Sequence, residues 1–171
     1  ISYESRLIKI KLDDKKAKEL DDEINAIEGA TEEQLEKAKK KTTTIDAIIG
    51  EPSRLKDVAK DVVTHFEARQ NVFEGKAMIV GMTRNICVRL YNEIIALKPE
   101  WHNDDLDKGT IKVIMTSSTD DPEIFQPHHT TKNQRKDLAT RMKDPNDNLK
   151  MVIVRDMWLT GFDAPSMHTL C

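Results

Sequence analysis

The residues best suited to chemistry lie close together near the carboxyl end of the chain. Arg155, Asp156, Thr160, Gly161 and Asp163 follow directly on the apolar run Met151-Val152-Ile153-Val154. An arginine fork can grip a phosphate through parallel N–H donors. The Asp163 carboxylate can accept a ribose hydroxyl, a magnesium-bound water or an arginine. Gly161 permits a tight turn or the close approach of another backbone. By spacing alone this is a polar corner at the end of a strand, and an isolated T-G-x-D is a weak signature.

Three other constellations are weighed against it. The pair His128-His129 suggests a metal. Adjacent side chains point apart, however, and no cysteine or third histidine stands at ligand spacing. An exposed loop without metal is expected. Trp101 and Trp158 could stack on bases, but Trp101 is expected to pack within its loop and Trp158 to be half-buried. Gly75-Lys76-Ala77 looks like half of a phosphate loop. Position 70 is Gln where the first glycine should be, Ala77 lacks the hydroxyl that holds magnesium, and the segment precedes a strand instead of following one. No G-x-G-x-x-G occurs. The chain alone is therefore expected not to bind and hydrolyse ATP.

The elements that must position these residues are legible from apolar spacing. Leu55, Val58, Ala59, Val62, Val63 and Phe66 mark a helix after Pro52, which suits a first helical turn. The run at 76–82 reads as a buried strand. Ile86, Leu90, Ile94 and Leu97 mark a helix over 84–97, ended by Pro99. Strands are expected at 111–115 and 151–154, and a weaker helix over 132–143 carries Leu138, Ala139 and Met142. Buried strands alternating with helices predict a parallel α/β sheet covered on both faces. Ligands of such sheets meet the carboxyl ends of strands. The loops after Met82, Met115 and Val154 are thus the places for a site. Residues 98–110 and 116–131 form long loops, which are often functional.

The first 75 residues differ in character. A short strand-like stretch at 1–12 precedes a Lys-, Asp- and Glu-rich segment over 13–41. There Leu20, Ile24 and Ile27 recur at helical spacing, and Thr31 with Gln34 resembles a capping box. A solvated helical hairpin is expected. The whole chain has 171 residues and a formal net charge of -3, so any surface for nucleic acid must be local. Hydrophobic residues make up 38% and charged residues 33%. Two cysteines, Cys87 and Cys171, form no disulfide framework, which is cytoplasmic usage. No signal peptide or membrane-length apolar run is seen. The chain opens without Met and stops within an apolar run, so both ends read as cuts in a longer protein.

Asp156 through Asp163 resembles motif V of superfamily 2 helicases and translocases, a strand ending in a D-x-x-x-x-G-x-D loop. The form Leu159-Thr160-Gly161-Phe162-Asp163-Ala164-Pro165 is similar to that of the motor subunits of type I restriction enzymes. Gly75 to Arg84 resembles their motif IV, residues 55–66 the helix before it, and Tyr3-Glu4-Ser5-Arg6-Leu7 the link from the first motor domain. The resemblance runs in order along most of the chain, residues 13–45 being its least specific stretch.

The resemblance implies a RecA-like α/β domain with a helical N-terminal appendage. The division would be a link and charged helical segment over 1–74 and a partial second motor domain over 75–171, truncated before motif VI. It implies an ATP-driven translocase on double-stranded DNA, with cleavage by a nuclease domain outside this chain and modification and specificity subunits as partners. ATP and Mg2+ would be held mainly by the absent first domain, so the fragment alone would be inactive. Thr160, Gly161 and Asp163 would couple the nucleotide cleft to DNA, though Thr160 stands where many relatives have Arg. Thr83, Arg84, Thr116, Ser117 and Arg155 would contact the DNA backbone, Arg155 standing where many relatives have Thr. Two alternatives stay open: the matching domain of another superfamily 2 helicase, and a non-catalytic protein-interaction module.

Overall fold

The computed structural model describes residues 50–158, 162 and 167–170. The chain divides into two compact units, Ile1–Ile48 and Ile49–Cys171, and every described residue belongs to the second. The expected strand at 1–12, the charged hairpin and the Thr31 cap lie outside the described residues.

Helix α1 spans Pro52–Gln70 and starts where expected, with the Glu51 carboxylate accepting from Arg54 N. Its buried residues Leu55, Ala59, Val63 and Phe66 recur every three or four positions and form one apolar stripe. Strand β1 follows at Lys76–Val80 and helix α2 at Arg84–Leu97. Next come β2 at Ile111–Ile114, helix α3 at Lys132–Lys143, β3 at Met151–Val154 and β4 at Met167–Leu170. Both long loops contain a short 3-10 segment, Pro99–Trp101 and Glu123–His128. Helix α3 opens on a reciprocal capping box between Thr131 and Gln134. This cap satisfies two backbone donors that a helix start otherwise leaves open.

The four strands form one parallel sheet in the order β2-β3-β1-β4. This is the expected RecA-like α/β arrangement. Strand residues alternate between two cores, as the two-residue strand period requires. Ala77, Ile79, Val113, Met151 and Ile153 pack with α1 and α2. Met78, Ile114, Val152 and Val154 pack with Leu138 and Met142 of α3. Helices therefore cover both faces, α1 and α2 on one and α3 on the other. Helix α1, grouped by composition with the N-terminal segment, shares its core with the sheet.

Two lysines interrupt the apolar strands. Lys76 is fully buried and donates to the Arg141 carbonyl at 2.6 Å. Lys112 donates to the carbonyls of Asn103 and Asp105 at 2.5 and 2.8 Å. Burial lowers the pKa of both amines, because leaving water disfavours the charged form. Trp101 has a packing role, but against helix α1 and not within its own loop: it sits edge-on to Phe66, with ring centroids 5.6 Å apart. Cys87 is a buried core residue.

Candidate nucleic-acid interface

In-register parallel pairing places the carboxyl ends of three strands side by side. Val80 lies opposite Val154, and Ile114 lies opposite Val154 on the other flank. The segments that follow, at 81–84, 115–121 and 155–158, therefore leave one edge of the sheet. Gly81 is the closest junction: its N–H donates to the Val154 carbonyl at 2.7 Å. A Cβ at this position would stand 2.4 Å from the Cys87 sulfur. Only glycine lets the β1 turn approach α2 this closely.

Thr83 takes an extended backbone and caps α2, its Oγ1 accepting from Ile86 N at 3.2 Å. Arg84, the next residue, makes a two-pronged pair with Asp121, at 2.6 Å to Oδ1 and 2.5 Å to Oδ2. Its Nη2 also donates to the Thr116 carbonyl at 2.7 Å. The guanidinium lies over the Phe125 ring, 5.0 Å from its centroid. Asp121 accepts from Ser118 N as well, at 2.8 Å. The hydrogen bond from Arg84 holds its carboxyl below the usual range, against the opposing effect of burial. His129 Nε2 lies 2.9 Å from Asp121 Oδ2. That is ion-pair distance, but its N–H is not aligned for a hydrogen bond.

The remaining candidates at this edge are open to solvent. Thr116 and Ser117 are exposed. Arg155 and Asp156 are also exposed and stand 3.8 Å apart. Trp158 is half-buried, as expected, and adopts φ 66°, an unusual backbone for a bulky residue. Its ring stacks on Phe162 at 4.5 Å, and Lys143 Nζ lies 5.2 Å from the centre of the Phe162 ring. Thr160, Gly161 and Asp163 lie outside the described residues.

The histidine pair is not the exposed loop expected from sequence. His128 is half-buried, its ring edge-on to Tyr91 at 4.7 Å. Tyr91 Oη in turn sits 2.7 Å from His102 Nδ1. The 3-10 turn at Glu123–His128 buries Phe125 and carries the histidine inward with it. Burial holds the His128 imidazole at about 4, with Lys112, His102 and His129 acting in the same direction.

This shift has a consequence for stability. A basic group with a folded pKa below its unfolded value leaves the unfolded chain binding more protons in the interval. Stability should therefore fall as pH drops from about 6.5 to about 4, by up to about 1.4 kcal/mol per unit. Urea unfolding of the 171-residue chain across that window checks this. The decline should shrink in His128→Gln, and an equal decline in the variant would assign it to other groups.

Asp121 and Phe125 are the residues at this edge that sequence reasoning misses, and His129 is weighed there only as half of a metal pair. Asp121 stands in a run of small polar residues ending at Pro122, within a long loop marked as a place for a site, but nothing in the run singles it out. Its partner Arg84 is distant in sequence, and no periodicity links the two.

Comparison with known proteins places the chain in a family. The type I restriction enzyme subunit R domain 3 family matches residues 10–171. A type I restriction enzyme HindI endonuclease subunit of Haemophilus influenzae is 51% identical over 125 residues, 73% of this chain. A Methanocaldococcus jannaschii protein bearing the type I restriction endonuclease-subunit name MjaIXP is 37% identical over 171 residues, 99% of this chain. The matched region spans 12% of the first protein's length and 16% of the second's.

Proposed function

Because the chain belongs to the type I restriction enzyme subunit R family, in its domain 3, we propose that it is one working part of an ATP-driven translocase on double-stranded DNA. It is the second RecA-like half of the motor, and a nuclease domain elsewhere in the parent cuts the DNA. The observation that carries this reading is the grouping, at one carboxyl edge of a parallel sheet, of the segments that resemble motifs IV and V. Edges of this kind are where α/β sheets meet ligands. Modification and specificity subunits are the proposed partners, and the cytoplasm the proposed location. No described helix is long and apolar enough to cross a membrane.

The sequence has no phosphate loop, and the family resemblance puts ATP and Mg2+ mainly on the first motor domain, where they would supply the driving hydrolysis. This chain contributes Thr160, Gly161 and Asp163 at the cleft. It contributes Thr83, Thr116, Ser117 and Arg155 toward the DNA backbone. Backbone contacts carry no sequence information, which suits a motor that must move along any sequence.

Arg155 provides the test. The full-length parent should show ATP turnover stimulated by duplex DNA of any sequence; a rate indifferent to DNA would overturn the reading. Arg155→Ala should weaken binding to all duplexes alike. It should also flatten the slope of log affinity against log salt by about one unit, as loss of one phosphate contact does. Unchanged affinity and slope would remove Arg155 from the DNA face.

A further inference from the structure

We infer that Asp121 is a positioning residue of the DNA-binding edge, and that Arg84 acts through it and not on a phosphate. The inference rests on the proposed DNA-gripping role of this edge. Three observations support it. The Arg84 guanidinium is already engaged: both terminal nitrogens bond Asp121, and one also bonds the Thr116 carbonyl. The side chains are largely shielded, with 25% of Arg84 and 7% of Asp121 exposed. The bonds also tie two separate segments together. Arg84 belongs to the first turn of α2, one residue after Thr83. Asp121 and Thr116 belong to the loop that leaves β2.

A phosphate would have to displace a two-pronged carboxylate to reach this guanidinium. The fork would fit either anion, but the carboxylate is already in place, only 7% exposed and held from the loop side by Ser118 N. The clamp instead fixes the separation of Thr83 from Thr116 and Ser117. Asp121 holds Ser118 N at the same time, so one carboxylate shapes the β2 loop and anchors it to α2. Phe125 forms the floor beneath the guanidinium. His129 Nε2 closes the other side of the carboxylate.

Arg84→Lys, Asp121→Asn and the double variant in the full-length parent separate the possibilities. The probe is a duplex of random sequence, titrated at several salt concentrations, with thermal melting measured beside it. Lysine keeps a charge that serves a phosphate but loses the fork that fits Asp121. Each single variant should lower DNA affinity about tenfold, as expected when a charge-assisted pair is lost. The double variant should be no weaker than the weaker single, because the two residues form one unit. The salt slope should stay unchanged, because hydroxyl contacts displaced with the loop release no counterions.

Tighter binding by Asp121→Asn would overturn the inference, as it would show a carboxylate competing with phosphate for Arg84. Full affinity in Arg84→Lys would also overturn it. So would a lowered melting temperature with unmoved affinity, or variants too unstable to bind at all, since either would make the clamp an element of the fold alone. A wild-type parent that fails to bind the duplex would defeat the functional reading itself, a result distinct from all of these.

Discussion

Arg141→Met is expected to lower the stability of the folded chain by about 3–5 kcal/mol, the usual cost of removing one partner from a buried charge network. Arg141 lies in the last turn of α3 and is 12% exposed. Its Nε donates to both oxygens of Asp147 at 3.1 Å, and its Nη2 to Oδ1 at 2.8 Å. Nη1 reaches the Leu106 carbonyl at 2.6 Å, and Nη2 the Gly109 carbonyl at 3.4 Å. One side chain thus joins the end of α3 to the loops that enter β2 and β3. Methionine would keep the apolar stem but leave the Asp147 carboxylate and the loop carbonyls without their donor. Asp147 also accepts from Leu149 N at 2.7 Å, so the damage would extend to the entry of β3. Arg141→Lys should recover only part of the loss, because a point charge cannot serve acceptors spread around a planar fork. Urea unfolding measures all three proteins. A change within about 0.5 kcal/mol, ordinary for a surface site, would show that water replaces the guanidinium at little cost.

That network also shows where sequence reading stops. Helices α1 and α2 and the strands β1 to β3 were legible because Leu55, Ala59, Val63 and Phe66, or Met151 to Val154, carry the period of the element they form. Alternating strands and helices implied the parallel sheet. The order β2-β3-β1-β4 was not legible, since adjacent strands are chosen by packing across the whole core. The roles of polar residues were not legible for a related reason. Arg141 lies on a weakly apolar helix, and its main partner Asp147 lies beyond the helix end. Lys76 and Lys112 stand within apolar strand runs, and only the fold brings carbonyls to their amines. His128 and His129 read as loop surface because their burial depends on the short turn that inserts Phe125.

The candidate site divides in the same way. The three loops at the carboxyl edge followed from the α/β pattern, while Thr83, Thr116, Ser117 and Arg155 are singled out within them by the family resemblance. Arg84 is named by its place in the motif IV resemblance, which marks a group able to hold a phosphate but not the carboxylate that already holds it. Asp121 became visible only through that pairing. A solvent-exposed arginine such as Arg155 and a clamped one such as Arg84 are indistinguishable in sequence. Their expected responses differ: loss of Arg155 should flatten the salt dependence of binding, and loss of the Arg84 fork should leave it unchanged.

Asp163→Asn in the intact parent should lower DNA-stimulated ATP turnover at least about tenfold, a barrier increase of 1.4 kcal/mol or more. Asp163 lies outside the described residues, and the argument comes from its neighbours. Residues 155–158 leave the carboxyl end of β3, and Phe162, next to Asp163 in sequence, is stacked on Trp158 there. In a two-domain motor this edge would face the nucleotide, and the carboxylate would hold the closed arrangement through the nucleotide or an arginine. Such a contact forms fully only with ATP and DNA both bound. Its loss should therefore weaken the transition state more than the ground state. Removal of one preorganised polar group of this kind costs about 2–4 kcal/mol. Asparagine keeps the size and removes the charge, so kcat should fall with little change in the KM for ATP. Melting temperature should hold, because asparagine keeps the shape of the side chain it replaces. A large loss of stability would make Asp163 a structural cap. Normal turnover with normal stability would make it a bystander to the cleft.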